Sequence, residues 1–337
     1  MPENLHSVNN AGDTRKPVDA VITWVDGTDP AHRNKLEKRL AQVGRTPPKS
    51  VGGSRLVDAG ELALCVASLL KNAPWIRTVY IVTDNQTPSF LDAMANPALR
   101  SKIQVVDHKA IFEGYEEGLP SFNTRSISML LWKIKGLSEH FLYLNDDFFI
   151  IRPVETQDFF RDGKIVTRGH WKYLYSIKVE LIRFLSRFIE TFRHKHAKPG
   201  YLKSQYYAAK AYSLYYRFMS VDHAPHAMSQ HYFSSFFQQH AEHARHLVSF
   251  PFRSVQQISA ESLSVHAAHK DGNLVLDTKN KTMIIHAFDS PAKKIQKQLA
   301  IAEQNANIAF LCIQDLAGAS ESVQTTLRDW LENQMLD

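Results

Sequence analysis

Two adjacent carboxylates, Asp146 and Asp147, stand between the apolar runs FLYL (141–144) and FFII (148–151). Burying such charges without partners costs several kcal/mol, so a cation or an arginine is expected beside them. A hard divalent ion, held by one or two carboxylates and by substrate phosphates, would satisfy them. The same dipeptide would also serve as a surface turn between two hairpin strands. WVDG (24–27) follows a similar logic: Gly27 permits a tight turn close to a ligand, and Asp26 could bond a ribose or help hold the metal. An ordinary strand-ending turn is its plain alternative. His223-Ala224-Pro225-His226 supplies two imidazoles, and an imidazole is a suitable base for a hydroxyl near neutral pH. The two cysteines are remote and no H-E-x-x-H occurs, which argues against zinc. Arg253, within SFPFRS, would suit a phosphate or a structural carboxylate equally well.

These residues need elements to place them. Val18–Val25 is an apolar run with the look of a buried strand, and it stops at Asp26-Gly27. Asp29-Pro30 caps a polar helix, 45–55 reads as loop, and Asp58 with Glu61 forms a capping-box pattern ahead of Leu62, Cys65, Val66, Leu69 and Leu70. Strands follow at Thr78–Thr83, Ile103–Asp107 and Phe141–Leu144, with a helix through Ile127, Leu130, Leu131, Ile134 and Leu137 before the last of them. Farther on come a hairpin (Leu274–Leu276 with Met283–His286, turning at Thr278–Asn280), a polar helix at about 291–304, a strand at Ile308–Ile313 and a final helix carrying Val323, Leu327, Trp330 and Leu331. Strands alternating with amphipathic helices predict an α/β fold with a mostly parallel sheet, whose ligands sit beyond the carboxyl ends of the strands. Asp26, Asp84-Asn85 and Asn145-Asp146-Asp147 all occupy such ends.

The chain has 337 residues and a net charge of +6, with 44% apolar and 22% charged residues, as in a soluble globular protein. The charge is uneven. Between 170 and 220 ten Lys and Arg face two Glu, and eight of the twelve tyrosines lie there. That segment could bind an anionic polysaccharide, lie on anionic lipid, or be a packed helical subdomain with a solvated basic face. No nucleic-acid recognition motif accompanies it. Cys65 and Cys312 read as buried small hydrophobes in a reducing compartment. The N-terminus has no signal-peptide core and no run spans a membrane, so a cytoplasmic protein is expected, with peripheral contact at the inner membrane face as an extension of that reading. Residues 1–17 read as a flexible tail and 18–337 as a single catalytic domain interrupted by a helical insertion at about 160–221.

Taken together, the segments resemble the conserved regions of the Stealth family, which includes bacterial capsule polymerases. DAVITWVDGTDP (19–30) resembles the first region. APWIRTVYIVTDNQTPSFL, LPSFNTRSIS and GLSEHFLYLNDDFFI, within 61–150, resemble the second; SVDHAPHAMS with FPFRS resembles the third, and FLCIQDLAG (310–318) the fourth. The resemblance implies a GT-A-like α/β fold and four catalytic positions: Asp26, Asp147, His223 and Arg253. It implies substrate contacts at Trp24, Gly27, Asp84, Asn85, Asn123, Arg125 and Asn145, and Mg²⁺ or Mn²⁺ on Asp146, Asp147 and Asp315. Where many members carry Asn-Asp this chain has Gln314-Asp315; the longer amide puts a ligand role for Gln314 in doubt. The implied reaction moves a hexose 1-phosphate, of the N-acetylhexosamine type, from a UDP-sugar to a hydroxyl of a saccharide or growing polysaccharide-phosphate. UMP leaves, and the phosphodiester belongs to a capsular or exopolysaccharide, with the capsule export machinery as a further expected partner. Two rivals stand beside it: a metal-dependent glycosyltransferase that releases UDP, and a non-catalytic polysaccharide- or membrane-binding module.

Overall fold

The run VDAVIT folds as strand β1 (Val18–Thr23), buried along its whole length. In the computed structural model, which describes residues 16–44, 57–173, 175–185, 188 and 199–336, it is the centre of the main sheet. Most of the expected tail and the loop 45–55 lie outside the described residues. β2 (Val79–Thr83), β3 (Ile103–Asp107) and β4 (His140–Asn145) run parallel to β1 in the spatial order β4-β1-β2-β3. β1, β2 and β4 are short apolar stretches, as expected of strands covered on both faces, whereas β3 lies at the sheet edge with Gln104 and Val105 exposed. The chain thus folds as an α/β protein with mixed, mostly parallel sheets.

β4 ends at Asn145, the turn Asp146-Asp147 follows, and β5 (Phe148–Ile150) begins at once. β4 and β5 do not pair with each other. β4 lies against β1, whereas β5 joins a second sheet. The later strands, in chain order, are β6 (Phe160–Arg161), β7 (Lys164–Thr167), β8 (Gly169–Tyr173), β9 (Arg217–Val221), β10 (His226–Ser229), β11 (Leu274–Leu276), β12 (Lys281–His286) and β13 (Ile308–Gln314). β10 adds an antiparallel edge to β4, and the second sheet has the order β12-β13-β5. The acidic turn is therefore the point where the chain leaves one sheet for the other. Helix Glu61–Asn72 fastens this crossing from behind: Ile150 N donates to Ser68 Oγ (3.2 Å), and Asn72 Nδ2 donates to Ile150 O (2.6 Å).

Residues 160–221 hold β6 to β9 as well as helices Tyr175–Leu185 and Tyr201–Ala211. β8 and β9 form an antiparallel pair entered at Gly169, whose φ is +149° and where a Cβ would lie 2.2 Å from Ser220 O.

Three expected elements differ. Leu274–Leu276 and Met283–His286 are no hairpin: β11 pairs with β7 and β12 with β13. Both pairings are parallel: β12 and β13 are consecutive strands joined by helix Ala292–Gln304, whereas β11 and β7 are distant in sequence, a pairing that apolar patterning does not encode. The expected helix through Ile127–Leu137 is a short helix, Thr124–Ser128, and a separate 3₁₀ turn, Leu131–Lys133. All five marker residues are buried, so the spacing reported burial rather than one continuous backbone. Asp58 does not cap the next helix; Gly60 does, at φ 93°, while Asp58 Oδ1 accepts from Gly60 N (2.8 Å) and Glu61 Oε2 from Ala59 N (2.6 Å).

Candidate active site

Beyond the carboxyl ends of β1, β4 and β13 lies a cavity of about 490 Å³. Strand order reverses between β1 and β4, and open α/β sheets bind their ligands at such points. Asn145 at the end of β4 and Asp146 and Asp147 in the acidic turn face it, with Trp24 after β1, Gln314 at the end of β13, Asp315 just beyond, and Glu61 from the fastening helix. Arg125, His223, His226, Arg253, Tyr201 and Glu261 also line it.

The acidic side is crowded. Burial raises Asp146 well above the usual carboxylate range, and Asp147, Glu61 and Asp58 push it further. Burial also lifts Asp147 to about 7, with Glu61 and Asp315 adding to the rise while hydrogen bonds from Cys312 and its own backbone oppose it. Asp147 Oδ2 lies 3.6 Å from Cys312 Sγ, and its Oδ1 is buried with no hydrogen-bond partner among the described residues. Asp315 is held at φ 56°, ψ 44°, a left-handed conformation that aspartate tolerates better than most residues. Asn145 Oδ1 accepts from Tyr143 Oη (2.9 Å), which also contacts Thr23 Oγ1 at 3.3 Å.

A cationic side faces another part of the cavity. Arg125 is buried, and burial together with the neighbouring Arg253 brings its guanidinium down to about 10, with Glu261 opposing. It donates to Ser254 O (3.3 Å) and Gly200 O (3.2 Å). Beneath the two arginines is a buried amide network. Asn123 Nδ2 donates to Phe250 O and to Gln257 Oε1, each at 2.9 Å, and Gln257 Oε1 also accepts from Ser254 N at 3.0 Å. The short helix bearing Arg125 and the loop bearing Arg253 are thereby tied into one unit.

His223 sits in the turn between β9 and β10, its ring 4.5 Å from that of Tyr201. Burial holds it below the ordinary imidazole value, with Asp222 opposing and His286 adding. It is therefore neutral near pH 7 and able to accept a proton. His226, fully inside, is pushed down to about 3 by burial, then by His223 and Arg168.

Of the residues expected at the site, Trp24, Arg125, Asn145, Asp146, Asp147, His223, Arg253 and Asp315 share the cavity. The other five are not part of its wall. Asp26 Oδ1 caps its own turn, accepting from Thr28 N (2.8 Å) and Thr28 Oγ1 (2.6 Å), with Gly27 inside that turn. Asp84 anchors the first helix: although burial opposes ionisation, His32 (2.9 Å) and Lys35 (2.8 Å) hold its carboxyl well below the usual range. Asn85 is exposed at φ 55°. Asn123 lies under the floor, in the network above. Cavity residues that were not anticipated include Tyr143, Tyr201, Glu261, His108 and Glu61 as a wall residue. Tyr143 had a signal, since it stands two positions before Asn145 on a strand and so shares its face. Glu261, at the start of helix Ala260–Lys270, had none; burial raises its carboxyl, and Ser259, Arg125 and Tyr201 oppose the rise.

This is an α/β protein with an acidic turn and paired arginines at the switch point of its sheet. Residues 16–44 match Stealth protein conserved region 1, and residues 55–168 match conserved region 2. Over these two stretches the chain is similar to Stealth proteins. It is 47% identical over 148 residues to an exopolysaccharide phosphotransferase of Streptomyces coelicolor, a stretch covering 44% of this chain and 24% of that one. It is 37% identical over 151 residues to a capsular polysaccharide phosphotransferase of Actinobacillus pleuropneumoniae, covering 44% and 40%. The match thus spans less than half of each of these relatives. A solved structure of the galactosyltransferase LgtC with donor and acceptor sugar analogs aligns over 94% of this chain and 95% of its own, with TM-score 0.40 and 11% identity.

Proposed function

We propose that the cavity transfers a sugar 1-phosphate from a nucleotide sugar to a saccharide hydroxyl, in the assembly of a capsular or exopolysaccharide. The observation that carries this reading is the meeting of Asp147, Arg125, Arg253 and His223 in one cavity. The phosphotransferase names of the relatives in Streptomyces coelicolor and Actinobacillus pleuropneumoniae point the same way.

In the proposed reaction the acceptor oxygen attacks the phosphorus next to the donor sugar. A new P–O bond forms as the bond from that phosphorus to the bridging oxygen breaks, and the nucleoside monophosphate leaves with the electron pair. Phosphoryl transfer asks the protein mainly for position and charge. Arg125 and Arg253 offer planar, multidentate donors to phosphate oxygens. Two neighbouring guanidiniums repel each other, and an anion between them relieves that repulsion. His223, kept neutral by burial, takes the acceptor proton. Tyr201 and Glu261 would orient the acceptor or the donor sugar.

A divalent cation suits the opposite wall. Asp147 Oδ1 has no hydrogen-bond partner among the described residues, and Asp146 and Asp147 are raised by burial among other carboxylates, as expected of oxygen donors suited to a cation. Among the described residues no three His, Cys, Asp or Glu side chains are arranged to hold a metal by themselves. Asp146, Asp147 and Asp315 would therefore hold Mg²⁺ or Mn²⁺ together with phosphate oxygens, in the manner usual for Mg²⁺. Bound there, the ion would neutralise charge on the diphosphate.

A panel of nucleotide sugars offered with a short saccharide acceptor, followed by phosphorus NMR, tests the proposal. A phosphodiester product with release of a nucleoside monophosphate is expected. Release of the diphosphate would make the protein a glycosyltransferase instead, and turnover of no donor would leave it a binding module.

A further inference from the structure

Among the described residues, helix Tyr175–Leu185 is covered on one side only. Tyr175 and Val179 turn inward onto Tyr206, Ala209 and Phe218. The opposite stripe is Ile177, Leu181 and Phe184, continued by Phe188 in the turn beyond, and these side chains are 55 to 73% exposed. Their spacing of four, three and four residues draws one line along a helix. The rings of Phe184 and Phe188 touch at 5.3 Å between centroids. Tyr173 at the end of β8 and Tyr216 beside β9, 63% and 74% exposed, stand at the adjoining end of that strand pair. Water is a poor partner for such a surface, and contiguous apolar patches mark interaction sites.

The surrounding charge selects the occupant. Ten Lys and Arg against two Glu make 170–220 strongly cationic, and exposed Lys178 lies on this same helix. A second copy of the chain would bring an equally cationic segment against it. A polysaccharide would gain little from Ile177, Leu181 or the phenylalanines, which offer no hydrogen bonds. Anionic phospholipid answers both features: headgroups meet the cations and the acyl boundary takes the apolar stripe. No described helix is long and apolar enough to cross a membrane, so the contact is one of lying on the surface.

We propose that helix Tyr175–Leu185 with Phe188 docks the protein on an anionic lipid surface, with Ile177, Leu181, Phe184 and Phe188 as the inserted side chains. The neighbouring helix Tyr201–Ala211 carries Tyr201 in the cavity wall and Tyr206 and Ala209 under the docking helix. The cavity is thus one helix away from the lipid. This inference is independent of the reaction proposed above.

Co-sedimentation of the full chain with vesicles tests it. At low salt the protein should pellet with vesicles of phosphatidylcholine and phosphatidylglycerol, and roughly tenfold less with phosphatidylcholine alone. The double variant Leu181→Ser, Phe184→Ser should lose binding to a similar degree while keeping its circular dichroism spectrum and its size on a calibrated column. Lys178→Glu should weaken binding without abolishing it. Failure of the wild type to pellet with anionic vesicles would overturn the proposal, as would equal binding by the double variant. Dissociation of a wild-type oligomer by the double variant, without any vesicle binding, would assign the stripe to a second copy and overturn it too.

Discussion

The thiol of Cys312 lies 3.6 Å from Asp147 Oδ2, so one carboxylate oxygen is held from behind while Oδ1 has no hydrogen-bond partner among the described residues. Cys65 supports the same turn from helix Glu61–Asn72, with its Sγ 3.7 Å from the carbonyl oxygen of Asn145. Both thiols are buried and burial pushes both well above the ordinary cysteine range, so they act as weak donors rather than nucleophiles. Cys312→Ala should therefore cost about 1 kcal/mol in stability and lower turnover by roughly tenfold as Asp147 loses its orientation. Chemical denaturation and steady-state rates on the same preparation check both numbers.

Asp147→Asn keeps the shape of the side chain and removes its charge. Turnover of the nucleotide-sugar donor should fall by about 10²- to 10³-fold with the melting temperature preserved or raised, because a buried like-charge repulsion is relieved. A chelator should silence the wild type, and added Mg²⁺ or Mn²⁺ should restore it. Full activity in chelator would remove the metal from the scheme.

His223→Gln should lower kcat by about 10²-fold or more. Burial places the His223 value below 6.5, so the neutral imidazole persists to lower pH than in a free histidine. The acidic limb of the wild-type rate profile should lie below pH 6.5 and vanish in the variant. A limb that remains in the variant belongs to another group.

Three histidines link acidity to unfolding. Burial holds His226 at about 3, and His108 and His266 at about 4, each helped or opposed by neighbours. In the unfolded chain they take up protons near 6.5, so between pH 6.5 and 4 the unfolded state binds more protons than the native one. Their stabilising contribution is complete above 6.5 and is lost as pH falls through that window. Each should cost roughly 1 to 2 kcal/mol at pH 5. Urea midpoints measured at pH 7.5 and pH 5, in wild type and in His266→Gln, should show a smaller drop in the variant.

Asp19 opens the DAVITWVDG stretch yet lies at the far end of β1 from the cavity. It is fully buried, accepts from Arg77 Nε (2.9 Å) and Nη2 (2.6 Å), and takes the amides of Thr78 (3.1 Å) and Ser138 (2.7 Å). One carboxylate thus fixes the entries of β1, β2 and β4. Asp19→Ala leaves those donors unpaired and should destabilise the fold by about 3 kcal/mol or more. The loss should appear in the melting temperature, with the Michaelis constant for donor unchanged in whatever remains folded.

The central strands were readable because VDAVIT, TVYIVT, FLYL and IAFLCI are apolar on both faces, a pattern only a covered parallel sheet needs. Their ends in turn exposed Asn145-Asp146-Asp147 and Gln314-Asp315. What stayed hidden was partnership. Asp277 makes the expected turn, its Oδ1 accepting from Lys279 N (2.8 Å) and Asn280 N (3.2 Å), but the strands on either side choose other sheets. Asp26 and Asp147 both end strands in the sequence, and nothing local tells that one carboxylate closes its own turn while the other is left open to a cavity. Glu261 comes from a helix more than a hundred residues away from the acidic turn, and only the packing of the chain brings it in.

The crossing at Asp146-Asp147 has a mechanical consequence. A hinge between two β-layers would normally be the softest place in a fold, and here it carries the reactive groups. Ser68 and Asn72 drive a bolt through it, and Glu61 at the head of the same helix reaches the acidic cluster. Any sliding of one layer past the other would be felt first as a change in the spacing of the carboxylates, so the stiffness of that helix, together with Cys312 on β13, sets how accurately they are aimed.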